Sequence, residues 1–139
     1  MFKGKCHCES VEYVITTKPQ DCCLCYCSVC RKLTGSGMGA YGASKLENFQ
    51  WVRGEDCLSD YQQNQTTTRY FCQRCGSYLA SKHSQSPKMI YLSLGCLDGS
   101  AKLELKYQQF VASRPSWATT MSDVPTHDEW PEWIAQHLE

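Results

Sequence analysis

The stretch Cys25-Tyr26-Cys27-Ser28-Val29-Cys30, answered further along by Cys72-Gln73-Arg74-Cys75-Gly76, decides how this chain folds. A further C-x-C, Cys6-His7-Cys8, stands near the start. Sulfur at such short spacings suits zinc, which takes four soft thiolate or imidazole ligands in a tetrahedron. Cys6, Cys8, Cys72 and Cys75 complete one four-thiolate set. Cys25, Cys27 and Cys30 supply three, and a zinc with three protein ligands keeps a position for water or substrate, as reactive sites do. Two zinc ions are expected, one structural and one with an open position.

Each group has its own local logic. In Cys72-x-x-Cys75 both sulfurs point to one side of a tight turn, and Gly76 permits the left-handed backbone such a turn needs. Cys6 and Cys8, read as strand residues, face the same way about 7 Å apart, and modest bending brings them onto one metal. His7 then points to the opposite face as a surface residue. The segment from Cys22 to Cys30 allows more than one ligand set. Cys22 and Cys25 with Cys27 and Cys30 would make a self-contained four-thiolate site, but Tyr26 alone would have to reverse the chain between two knuckles. Cys25, Cys27 and Cys30 need only a strand end and a following turn. Arg31 and Lys32 come next and either lower nearby thiol pKa values or form a solvated basic turn. Cys57 and Cys96 read as small buried hydrophobes.

At 139 residues the chain suits a single domain spanning 1–139. Fourteen basic residues balance fourteen acidic ones, with no basic stripe to meet nucleic acid. Met1-Phe2-Lys3-Gly4-Lys5-Cys6 lacks the apolar core of a signal peptide, and no apolar run reaches membrane-spanning length. A cytoplasmic location is expected, where thiols stay reduced and clustered cysteines bind metal. The odd number of cysteines, eleven, agrees with that.

Alternating segments read as strands: Val11, Tyr13 and Ile15; Phe49, Trp51 and Arg53; and then 66–71, 78–81, 89–94 and 103–110. One helix is expected, at the C-terminus, with Thr126 and Glu129 at capping-box spacing and Trp130, Trp133, Ile134 and His137 at helical intervals. Trp117, Trp130 and Trp133 suit the core more than a pocket wall. Gly35-Ser36-Gly37-Met38-Gly39 lacks the lysine-serine ending of a phosphate loop. No nucleophile triad is placed by spacing. The fold class is mainly β: several small antiparallel sheets stabilised by zinc, with a short C-terminal helix.

These residues together resemble the family of glutathione-dependent formaldehyde-activating enzymes, which also contains centromere protein V. The matching segments are Gly4-Lys5-Cys6-His7-Cys8, Cys25 to Gly35, and Tyr70-Phe71-Cys72-Gln73-Arg74-Cys75-Gly76, with echoes in Leu94-Gly95-Cys96-Leu97-Asp98 and the 117–133 tail. Tyr26 stands where many members have histidine, and Cys96 where threonine is usual. The resemblance implies an all-β fold with a structural zinc on Cys6, Cys8, Cys72 and Cys75 and a catalytic one on Cys25, Cys27 and Cys30. It also implies carbon–sulfur lyase chemistry in reverse, joining glutathione to formaldehyde. A zinc with three thiolates is a modest Lewis acid that still favours an incoming thiol as thiolate. Arg31, Lys32, Thr34 and Ser36 are candidates to hold carboxylate or amide groups of that thiol. The rival readings are a non-catalytic zinc-binding interaction module and a thiol redox or metal-buffering protein that uses Cys22 and Cys23.

Overall fold

Val11, Tyr13 and Ile15 alternate with less buried neighbours and are themselves wholly buried, which fixes one face of the first sheet. The computed structural model describes residues 1–99 and 102–137. Its elements are β1 (Phe2–Lys5), β2 (Glu12–Ile15), β3 (Gln20–Cys25), α1 (Ser28–Thr34), β4 (Gly39–Lys45), β5 (Phe49–Arg53) and β6 (Leu58–Gln62). β7 (Thr67–Cys72), β8 (Tyr78–His83), β9 (Met89–Ser93), β10 (Tyr107–Gln109) and α2 (Glu132–Ala135) follow, with short 3-10 turns between. β1, β2 and β5 form a small sheet; the other seven strands form a larger one in the order β10-β3-β4-β9-β8-β7-β6. All pairings are antiparallel except β10 beside β3. The mainly β reading holds, in two sheets.

The large sheet has two unlike faces. On β9, Ile90 and Leu92 are fully buried and pack with Ala80, Val11, Tyr13 and Ile15 in one cluster between the sheets. Met89 and Tyr91 point the other way and line a cavity. On β8 the register passes from Tyr70 opposite Ala80 to Phe71 opposite Tyr78. Leu79 is thus the extra residue of a bulge, and it joins Ala80 in the core instead of alternating with it. Both cysteine-bearing faces owe their direction to such register.

Four expectations are corrected. The expected strands omit β1, β3, β4 and β6; at β3 the alternation is broken because Asp21 has φ 49° and the β3–β4 register shifts between Gln20 and Cys23. The final strand is only Tyr107–Gln109, not the whole of 103–110. A helix also forms at Ser28–Thr34, and the C-terminal one is a single turn that starts after Pro131, with Thr126 and Glu129 lying ahead of it. Trp117, Trp130 and Trp133 are at least 60% exposed, so they are not core.

Gly4 lies opposite Tyr13 and lets its ring cross the strand: a Cβ there would come within 2.2 Å of the ring. Tyr13 is itself held by Phe49 and Trp51, with ring centroids at 5.4 and 5.8 Å, and cannot swing away. Gly4→Ala should therefore cost about 1–3 kcal/mol or more by denaturant titration. Tyr13→Phe should be neutral or stabilising, because the Tyr13 hydroxyl is buried without a partner among the described residues.

Candidate functional site

Two turns far apart in sequence build the first cluster. After β1, the Cys6 carbonyl accepts from Glu9 N–H at 3.0 Å, and the Cys6 sulfur accepts from Val11 N–H at 3.3 Å. The C-x-C thus sits on a turn, not on the expected strand. Between β7 and β8, Gly76 N–H donates to the Cys72 carbonyl at 2.8 Å, and Gly76 has φ 76°, as the knuckle requires. His7, exposed as expected, ties the two turns by donating its backbone N–H to Ser77 Oγ at 3.0 Å. The sulfurs of Cys6, Cys8, Cys72 and Cys75 all lie within 4.8 Å of one another. Cys6–Cys8 is 3.7 Å and Cys8–Cys72 is 3.8 Å. Four sulfurs held tetrahedrally on zinc at about 2.3 Å stand about 3.8 Å apart, so the donor set fits that metal. The Ser77 hydroxyl leads the contacts that lower the Cys75 thiol to about 5, while burial pushes Cys6 up to about 11.

The second cluster is local. β3 ends at Cys25, Tyr26 turns inward, and Cys27 caps α1 by accepting the Cys30 N–H at 3.2 Å. Cys30 therefore comes back beside Cys25 and Cys27 on the first turn of a helix, where the sequence suggested only a turn. These three sulfurs also lie within 4.8 Å of one another, and Cys22 is not among them; its sulfur faces the Pro19 carbonyl at 3.8 Å. Burial raises the Cys27 thiol, but the Cys30 N–H and the neighbouring sulfurs outweigh it and hold it below its usual value. Burial pushes Cys30 up to about 12.

What distinguishes the clusters is their surroundings. Cys25, Cys27 and Cys30 border a cavity of about 580 Å³ on the outward face of the large sheet. Its walls hold Cys23, named above only in the redox reading, and groups the sequence does not single out: Tyr41, Arg69, Ser81, His83 and Tyr91. Thr67 Oγ1 and His83 Nδ1 are 3.0 Å apart, and the His83 ring meets Tyr91 edge-on at 5.0 Å. Burial and the Arg69 charge lower the His83 pKa. Tyr41 is 8% exposed, and its hydroxyl faces the Cys30 sulfur without a well-formed hydrogen bond to any described residue.

Arg31, Lys32, Thr34 and Ser36 are not among the cavity-lining residues. Arg31 Nε donates to the Tyr26 carbonyl at 3.3 Å, and Thr34 Oγ1 donates to the Cys30 carbonyl at 2.8 Å. Lys32 and Ser36 are exposed. Cys57 and Cys96 are partly buried and pack against the core, close to expectation, although both sit in 3-10 turns.

The family model for the glutathione-dependent formaldehyde-activating enzyme matches residues 1–113, a span that contains both clusters and the whole cavity wall. A Halomonas elongata protein that carries the provisional name glutathione-dependent formaldehyde-activating enzyme is 27% identical over 124 residues, 84% of this chain and 79% of that protein. A crystal structure of a Rhodobacter sphaeroides protein superposes with a TM-score of 0.63 at 27% identity, over 76% of this chain and 98% of that one.

The two clusters should separate on mutation. Cys72→Ser removes a fully buried sulfur from the junction of the sheets and is expected to give unfolded protein. Cys27→Ser should leave folded protein with one fewer bound metal. Metal analysis and circular dichroism check both, and a loss of both metals from Cys27→Ser would contradict the division.

Proposed function

The chain belongs to the family of glutathione-dependent formaldehyde-activating enzymes, and from that premise we propose that it joins a small thiol, glutathione in the first instance, to formaldehyde. The product is S-hydroxymethylglutathione, formed by carbon–sulfur lyase chemistry run towards synthesis. One contrast carries this reading: four sulfurs close on one another at the sheet junction, while three border a cavity. We assign zinc to both sets, structural on Cys6, Cys8, Cys72 and Cys75 and catalytic on Cys25, Cys27 and Cys30. When bound by the three cysteines, zinc supplies a soft position that favours an incoming thiol as thiolate.

The rest falls to the chain's own groups. The substrate thiolate attacks the aldehyde carbon, the carbon–sulfur bond forms, and the carbonyl pair moves to oxygen, which takes up a proton. The unpartnered Tyr41 hydroxyl, in the wall beside Cys30, is assigned to donate to that oxygen. Confinement of both reactants against the sheet supplies proximity. Arg31, Lys32, Thr34 and Ser36 are assigned to polar parts of the thiol that extend beyond the cavity. None of the eleven cysteines is in a disulfide, which supports a reducing compartment, and we place the protein in the cytoplasm. No helix among the described residues is long and apolar enough to cross a membrane. We treat 1–139 as one domain carrying both sites.

Calorimetry with glutathione on the metal-loaded protein tests the reading. Binding as thiolate releases a proton, so apparent affinity should rise about tenfold per pH unit below the free thiol's pKa of about 8.5 and level off above it. Cys27→Ser should abolish binding. Tyr41→Phe should lower the rate of formaldehyde consumption by about ten- to a hundredfold with little change in glutathione affinity. Binding without acceleration would remove the enzyme; no thiol binding at all would favour the zinc-binding module.

A further inference from the structure

Arg69 is a buried cation that no carboxylate pairs among the described residues. It stands on β7 with 7% of its surface exposed. Its Nε donates to Gln63 Oε1 at 2.7 Å and its Nη1 to the Tyr78 hydroxyl at 2.7 Å, and the Tyr78 ring lies 5.6 Å from Cζ. Both hydrogen-bond partners are neutral groups. The ion pairs among the described residues join Lys5 to Glu9, Lys45 to Glu47, Arg53 to Glu12 and Lys106 to Glu104, and none involves Arg69. Asp21, the one carboxylate among the cavity-lining residues, is exposed and makes no ion pair with it. Burying a charge in this way is unfavourable unless something in the working protein answers it.

The register places this charge on the reactive face. Arg69 lies opposite Ser81, Ser81 opposite Tyr91, and Tyr91 opposite Ala43, all four lining the cavity that reaches the three cysteines. Nη2 makes no hydrogen bond among the described residues, so the end of the guanidinium still offers N–H groups on both terminal nitrogens. That planar fork matches a carboxylate, which it holds through two parallel hydrogen bonds. We infer that Arg69 forms an anion subsite in the cysteine-lined cavity, selecting thiols that carry a carboxylate. The inference rests on the proposed reading in one respect: the sulfur end of the ligand is placed at Cys25, Cys27 and Cys30.

Two thiols that differ only in charge test it: 3-mercaptopropionate and its neutral amide, titrated calorimetrically into the metal-loaded full chain. The acid should bind about ten- to a hundredfold more tightly than the amide. Arg69→Gln should erase that difference while leaving amide affinity and metal content unchanged, and Arg69→Lys should keep part of it. Equal affinities in the wild-type protein overturn the subsite, and this comparison stands even where Arg69→Gln does not fold. Loss of metal, or equal weakening of both thiols in Arg69→Gln, also overturns it and makes Arg69 the counter-charge of the thiolates. A preference for the acid without acceleration of formaldehyde consumption keeps the subsite and removes the enzyme reading. Acceleration without the preference does the reverse, and binding of neither thiol overturns both.

Discussion

The meeting of the Cys6–Cys8 turn with the Cys72–Cys75 turn is the constraint on which the rest depends. Cys8 and Cys72 are 64 residues apart in sequence, yet their sulfurs stand 3.8 Å apart. The first turn belongs to the small sheet and the second to the large one, so bringing them together superposes the two sheets. Cys6 and Cys72 are themselves part of the core between those sheets, alongside Val11, Tyr13, Ile15, Ile90 and Leu92. Four sulfurs at such distances repel one another once ionised, and a cation turns that repulsion into attachment. A sheet junction built this way needs fewer apolar side chains than a core that must hold by burial alone.

Once the sheets are superposed, alternation does the sorting. Ile90 and Leu92 go to the junction, so Met89 and Tyr91 must go to the opposite face; Ala80 goes inward, so Ser81 goes outward. A one-residue slip would exchange the two sets and put Ser81 and Tyr91 against Tyr13. The cavity and the core are thus specified by the same register. Its polar wall is carried on paired strands rather than on loops, and this keeps Arg69, Ser81 and Tyr91 in a fixed row.

Much of this was legible in the sequence. The cysteine spacings identified both clusters, and alternation found the strands at Val11 to Ile15 and Phe49 to Arg53. The strand at 66–71 was also found, but alternation cannot tell which of its faces meets a core and which a cavity. Arg69 therefore stayed unmarked, although an arginine between Thr67 and Phe71 on one side of a strand was the available signal. Tyr41, and the place of Cys23 in the cavity wall, are not legible for a different reason: the backbone at Asp21 breaks the period of β3, and β4 is rich in small residues that hold little hydrophobic contrast. The first helix gives no sequence signal because its cap is Cys27, which is not among the residue types that usually mark a helix start.

The two clusters also differ in what they cost the unfolded chain. Joining Cys8 to Cys72 closes a loop of about 64 residues, whereas Cys25 to Cys30 closes a single turn. Loop-closure entropy grows with the logarithm of loop length, by about 0.6 kcal/mol per doubling. Bridged by a metal, the distant set would therefore remove more freedom from the unfolded chain and contribute more to holding the fold. The local set needs little help to assemble, because β3, Tyr26 and the start of α1 already bring its sulfurs together. Its immediate surroundings are a cavity, an unpartnered phenol and a buried cation, carried on the side of the large sheet away from the junction. The division of sulfur is thus between a set that closes at the junction of the two sheets and a set that borders a cavity on the other face of the large one.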